Sequence, residues 1–455
     1  MSRVKWLGAL LGVAAIFAGG LTAYRAGALP LKPPPSSPKY VVIAWNNLGM
    51  HCYNPDFSNL AILPPYNTLV AQVIKVGDDS QDPRVPAQIV TTGVKVEYSF
   101  PDNSYSVGGS GVPPGRPDKT NFWDYAEPLF GVKLEHNIGL TGKGLSGTMD
   151  PTADGYFIAE GIPLTDIRDQ DAATMTPYPF QKALITVRDA QNPGKVLAQI
   201  TAVAPVSTEL MCANCHSDDM DATQGYVTEF PGGVPTGKVE TNILAIHDVL
   251  NKDNYATFLA GRPDLLAKTP LLTNGQPVLC AWCHQDNALG MPGVAGIKDM
   301  SNAMHRHHNS TNAPDITFDT DGCYNCHPGP DTQCLRDTMC QHFSLNCTDC
   351  HNPAGNDVVE PMVAVGQNPA PWASEPKCGQ TGCHGAGYDT VDPLYRNSTG
   401  HGGVYCEACH DSTHAIAPSR EPNDAIKFIQ LQGHTGTLSG CTVCHGATPR
   451  TRFNH

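Results

Sequence analysis

The sequence predicts two unlike domains. Residues 39–206 read as an all-β sandwich, with an immunoglobulin-like arrangement as one form of it, and residues 207–455 as a domain of short helices with little regular secondary structure. Three observations predict this. The first half is crowded with β-branched and aromatic segments broken by Gly, Pro, Asn and Asp clusters. The second half is rich in Gly and Pro and has few long amphipathic periods. All of the 17 cysteines except Cys52 lie beyond residue 206.

Strands are expected over 40–45 (YVVIAW), 68–76, 87–100, 156–159, 183–188 and 195–203. The stretch 189–194 (DAQNPG) between the last two reads as a hairpin loop. Ahead of the β half, Arg3 and Lys5 precede an uncharged run over 6–24, and Ala26-Gly27-Ala28 follows. That order is an export signal over residues 1–28, cleaved after Ala28 or retained as a membrane anchor through 6–24. The prolines at 30, 33, 34, 35 and 38 make residues 29–38 a stiff, extended linker.

In the second half, Cys-x-x-Cys-His occurs six times: Cys212–Cys215–His216, Cys280–Cys283–His284, Cys323–Cys326–His327, Cys347–Cys350–His351, Cys406–Cys409–His410 and Cys441–Cys444–His445. Cys378–Cys383–His384 is a seventh, with four residues between the thiols. Composition alone gives roughly 0.02 chance matches to the shorter pattern, and it is the attachment signature of c-type haem. Two thiols bond the porphyrin edge and the adjacent histidine reaches the iron. Zinc is the competing reading, but it needs two such thiol pairs per ion, or one pair and two histidines, and no histidine after every second Cys. For the Cys378 motif the competing reading is a disulfide. Seven covalent haem c groups are therefore expected, about one per 36 residues of the second half. So little chain per haem cannot build its own core, and this half is expected to fold only around its cofactors. The clearest helix there is 243–259.

Eleven histidines lie outside the motifs: His51, His136, His247, His305, His307, His308, His342, His401, His414, His434 and His455. Nine are in the second half, enough to close the second axial position of seven irons. His247, His342, His401, His414 and His434 are expected as such ligands. One or two of the three histidines in Met304-His305-Arg306-His307-His308 join them, with His305 and His308 assigned. His455 stands at even odds, and His136 is expected to be structural. Two imidazoles on one iron hold it low-spin and closed to small substrates; Met300, Met291 and Met339 would raise the potential if they ligated instead.

Cys334 and Cys340 are close in the chain, and in an exported protein they are expected to form a disulfide. Met50-His51-Cys52 follows the first strand. It reads as a soft-metal site, a cap on a haem, or a buried turn with an inert thiol.

The motifs resemble those of bacterial multihaem c-type cytochromes used in periplasmic and extracellular respiration. The resemblance extends to Leu48-Gly49-Met50-His51-Cys52, to Cys326-His327-Pro328-Gly329-Pro330 with Cys334-Leu335-Arg336-Asp337, and to Cys409-His410 with Thr413-His414-Ala415-Ile416. The longer Cys378 spacing is similar to one found in small tetrahaem cytochromes. The resemblance implies electron transport between a quinol-linked or periplasmic donor and an outer acceptor. The expected function is electron transfer, not catalysis, in the periplasm or at the cell surface. Two alternatives stand beside it: a reductase or oxidase of a small nitrogen or sulfur compound at one open haem, and a haem-wire filament subunit. A formal charge of −14 argues against nucleic acid and for redox partner proteins with cationic patches.

Overall fold

The computed structural model describes residues 39–78, 83–109, 115–218, 236–308, 320–351, 376, 378–379, 384–385 and 394–448. The export segment and the linker, together with Cys383 and His455, lie outside the described residues. From Pro38 onward the chain forms one compact unit.

The N-terminal region is rich in β-sheet. One sheet is wholly antiparallel and holds β1 (Tyr40–Asn46), β4 (Thr68–Lys75), β9 (Phe157–Glu160) and β8 (Asp150–Pro151) in that order, with β5 (Gln88–Ile89) also paired to β4. The other runs β2 (His51–Cys52), β11 (Val196–Ser207), β10 (Phe180–Asp189), β6 (Val94–Ser99) and β7 (Ser146–Thr148); β2 is parallel to β11 and the rest are antiparallel. Side chains from both sheets meet in one core: Val42, Ala44, Leu69 and Val73 from the first, with Val96, Tyr98, Ile185 and Ile200 from the second. Successive strand residues point to opposite faces. In β6 the pattern follows this, with Val94, Val96 and Tyr98 buried and Lys95 exposed.

β1 departs from such alternation, because Val41 through Asn46 are all buried. Its outward residues Val41, Ile43 and Trp45 join Val70 and Ile74 of β4 and pack against Ala408, Tyr405, Leu438 and Val443 of the second half. The unbroken run YVVIAW is therefore a strand covered on both faces, and each fully buried Val or Ile contributes about 1.5–3 kcal/mol. A short parallel pair, β3 (Leu60–Ala61) with β12 (Val278–Leu279), joins the halves at another point.

The strand expected over 87–100 is two strands, because Gly93 takes φ +74° between them. The helix expected over 243–259 begins earlier and breaks: it runs Val239–Asn251, and a separate turn follows at Tyr255–Phe258. A helix at Phe122–Phe130, which carries Pro128 and ends on left-handed Gly131, had no expectation in the sequence. Among the described residues no helix is long and apolar enough to cross a membrane.

Candidate metal centres of paired histidines

Each Cys-x-x-Cys-His motif folds as one helical turn. The His N–H donates to the carbonyl of the first Cys at 2.8 Å for His216, 3.1 Å for His284, 2.9 Å for His327 and 3.1 Å for His445. The Cys347 and Cys406 motifs are the helices Cys347–His351 and Cys406–His410. Residues three and four apart on a helix share a face, so this turn puts both thiols and the imidazole on one side. In the longer motif His384 N–H closes on the Cys378 carbonyl in the same way, at 3.1 Å.

Five motif histidines each face one histidine from outside the motifs. Ring centroids are 6.3 Å apart for His216 and His308, 6.4 Å for His284 and His247, and 6.3 Å for His327 and His305. They are 6.3 Å apart for His351 and His414, and 5.9 Å for His445 and His401. Two imidazoles on opposite sides of one metal ion, each about 2 Å from it with about 1.2 Å more to the ring centre, have centroids roughly 6.3 Å apart. The residues fit a bis-histidine iron at these five positions. No three His, Cys, Asp or Glu side chains among the described residues converge as a closed zinc site requires.

The second nitrogen of four of these rings supports the same arrangement, whereas His216 Nδ1 is buried with no hydrogen-bond partner among the described residues. Nδ1 of His284 donates to the Lys298 carbonyl (2.7 Å), that of His305 to the Ser301 carbonyl (2.9 Å) and that of His308 to the Met304 carbonyl (2.8 Å). His247 Nδ1 donates to the Tyr255 hydroxyl (2.9 Å), which in turn donates to Asp248 (2.7 Å). A carbonyl can only accept, so Nδ1 carries the proton and the Nε2 lone pair is left for a metal. At His414, Nδ1 lies 3.8 Å from Cys334 Sγ.

Burial also favours the neutral form of six of these rings, as a metal ligand must be. It pushes His216, His247 and His327 down to about 4 and His414 down to about 3, and it lowers His305 and His351. The facing histidine adds to the shift at His216 (His308), His247 (His284) and His414 (His351). His327 is crowded by chain atoms, which lowers it, yet the residue is exposed to solvent.

The β half supports the motifs directly. Counting all seven motifs in chain order, with Cys378 the fifth, Cys406 the sixth and Cys441 the seventh, Trp45 Nε1 donates to Glu407, inside the sixth motif, at 2.7 Å. Trp282, inside the second, donates to the Leu129 carbonyl at 3.0 Å. Gly77 N–H donates to the Cys444 carbonyl at 2.9 Å. Ser412 Oγ donates to the Asn46 carbonyl, and Gly49, with φ +79°, packs directly on the Thr413 carbonyl, where a Cβ would collide. These contacts hold the segment between His410 and His414, in which Asp411 and His414 both take left-handed φ of 75° and 67°.

The remaining candidates lie elsewhere. His342, on the helix Thr338–Phe343, and His434 are exposed, and neither faces a motif histidine. His307 and His136 are also exposed. His51 is buried, its Nε2 donating to Asn47 Oδ1 at 3.1 Å, and packed on Tyr66; burial lowers it to about 3 and pushes the Cys52 thiol up to about 11. Because His51 and Cys52 are consecutive in a strand, they point to opposite faces, which is the buried-turn reading and not a shared metal site. The expected disulfide is not formed: Cys334 and Cys340 are free thiols, Cys334 turned to His414 and Cys340 held in the first turn of its helix, its N–H on Asp337. Sequence reasoning missed Tyr255 and Asp248, which carry no motif, and met Arg336 only inside the run Cys334-Leu335-Arg336-Asp337 without a role; all three support the histidines from a distance. Comparison of the chain with protein-family models, with curated proteins and with solved structures finds no match to any of them.

Proposed function

We propose that this chain is an exported multihaem c-type cytochrome that carries electrons through seven covalently attached haem c groups. The observation that carries the reading is the set of five motif histidines each facing a second histidine at 5.9–6.4 Å between ring centroids. Bound haem supplies a one-electron iron centre at each motif. The chain's part would be to hold two imidazoles at each of the five paired positions and, at His247, His284, His305 and His308, to fix the tautomer through Nδ1. In this reading residues 39–206 are a β-sandwich that serves as scaffold, because β1 and its neighbours contact the sixth and seventh motifs and the His414 segment. The acidic chain would meet donor and acceptor proteins through their cationic patches, in the periplasm or at the cell surface.

Intact mass and pyridine haemochrome absorbance of protein matured in an exporting host test this. Seven haems are expected, with the irons of the five paired positions low-spin and inert to carbon monoxide. A chain that carries zinc instead, or in which most of the irons are high-spin, overturns it.

A further inference from the structure

We propose that the six attachment sites of the Cys-x-x-Cys-His spacing are ordered in space differently from the chain, as second, first, third, fourth, sixth and seventh, and that one helix fastens two irons. This rests on the haem reading above.

The helix Met300–His307 and its C-cap residue His308 carry the evidence for the shared pair. His305 faces His327 of the third motif and His308 faces His216 of the first. Residues three apart on a helix stand about 5–6 Å from each other. The two irons must therefore be neighbours. Their motifs interlock as well: Met211 N–H donates to the Asn325 carbonyl at 3.0 Å, and Asn214 Nδ2 donates to Asn325 Oδ1 at 2.9 Å. Asn325 lies between the thiols of the third motif and Asn214 between those of the first.

The other neighbours follow from similar joins. Asn242, on the helix that carries His247, donates to the His216 carbonyl at 2.9 Å, which places the second site beside the first. The helical turns Thr320–Cys323 and Cys347–His351 pack against each other, so the fourth site adjoins the third. His414, the fourth site's second imidazole, is four residues beyond His410 of the sixth motif. Leu438 N–H donates to the Cys409 carbonyl at 2.9 Å and Cys409 acts on Cys444, which joins sixth to seventh. Neighbouring sites, not consecutive motifs, then decide which centres are coupled.

Two measurements on haem-loaded full-length protein test this. Paramagnetic resonance separates the two irons of the helix. His305 and His327 are 19° from parallel, whereas His308 and His216 cross at 88°. Near-parallel imidazoles give a rhombic low-spin signal and crossed ones a signal with a large maximum g value. His305→Ala is expected to remove a rhombic signal of one iron, and His308→Ala a large-g signal of one iron. If either variant changes the other class, the assignment of the helix falls. Anomalous scattering from iron in wild-type crystals reads the order without any variant. The first-motif iron should have the second and third as its nearest neighbours. If the second and third are nearest each other, with the first at an end, the order is overturned while a count of seven haems leaves the cytochrome reading intact.

Discussion

Arg336 and Asp424 form an ion pair closed off from solvent, Nε to Oδ2 at 2.7 Å and Nη2 to Oδ1 at 3.2 Å, with side chains 1% and 4% exposed. The same guanidinium donates from Nη1 to the Gly49 carbonyl at 2.8 Å and lies over the Phe180 ring, both in the β half. Arg336 N–H donates to the His414 carbonyl at 2.9 Å. One residue therefore joins the β scaffold, the Asp424 loop and the backbone of a candidate iron ligand. A charge so placed is stable only while its partners remain.

Removing the cation should be far more damaging than removing the pair. Arg336→Leu leaves Asp424 buried and unpaired, at a cost of about 3–5 kcal/mol, and the double variant Arg336→Leu with Asp424→Leu should recover much of that loss. Chemical unfolding of the three proteins measures it. Equal losses in the single and double variants would mean that Arg336 acts through Gly49 and His414 and not through the ion pair.

Each outward histidine of a pair should guard one iron. His247→Ala, His401→Ala and His414→Ala are each expected to let carbon monoxide bind one iron in the reduced protein, and a His305→Ala, His308→Ala double variant two. His342→Ala and His434→Ala should bind none, because both side chains are exposed and neither faces a motif histidine. Carbon monoxide difference spectra count the opened sites. Binding in the His434 variant would show that nearness in sequence to the seventh motif outweighs the surface position seen here.

That contrast marks what the sequence could show. The motif turns were legible because their chemistry is local: two thiols and an imidazole at i, i+3 and i+4 define their own geometry. The facing histidines were legible as a surplus but not as pairs, since His216 finds His308, and His351 finds His414, from remote parts of the chain. His342 stands five residues before Cys347 and yet points to solvent, so proximity in the chain carried no information about the site. The strand YVVIAW was legible as a strand. That both of its faces are covered, one by the β core and one by the sixth and seventh motifs, depends on partners more than 350 residues away, such as Glu407 (|i−j| of 362 from Trp45). The helix Phe122–Phe130 was hidden by Pro128, whose residue type argues against a helix.

Cys334 should tune the iron of the fourth motif. Burial pushes its thiol up to about 12, so it stays protonated and is a weak acceptor for the His414 Nδ1 proton. A serine hydroxyl accepts more strongly, leaves more negative charge on the imidazole and should lower that iron's potential; alanine, with no acceptor, should raise it. A hydrogen-bond difference of about 1 kcal/mol corresponds to on the order of 40 mV in a one-electron couple. Spectroelectrochemical titration of Cys334→Ser and Cys334→Ala should therefore move one component of seven in opposite directions. Shifts of the same sign would mean that the thiol acts by packing alone.

Glu407 should make stability depend on pH in an unusual direction. It is 2% exposed, accepts from Trp45 Nε1 through Oε2, and has no hydrogen-bond partner for Oε1 among the described residues. Burial raises its carboxyl well above the ordinary 4.5, only partly offset by the Trp45 hydrogen bond and by Lys427, whose Nζ is 2.9 Å from Asp411. Below the unfolded-state value both states hold the proton and nothing is lost. As pH rises above 4.5, the unfolded chain releases the proton while the folded protein keeps it, so the folded state binds more protons and stability falls until the folded-state value is passed. Glu407→Gln keeps a side-chain oxygen for Trp45 and cannot ionise. It is expected to match the wild type near pH 4, within the roughly 1 kcal/mol of an altered hydrogen bond, and to be the more stable of the two at neutral pH. Unfolding free energies of both proteins across that range test the sign. A glutamine variant that is less stable at neutral pH would mean that Glu407 is ionised and bound to Lys427, with Trp45 solvating a carboxylate and not a carboxylic acid.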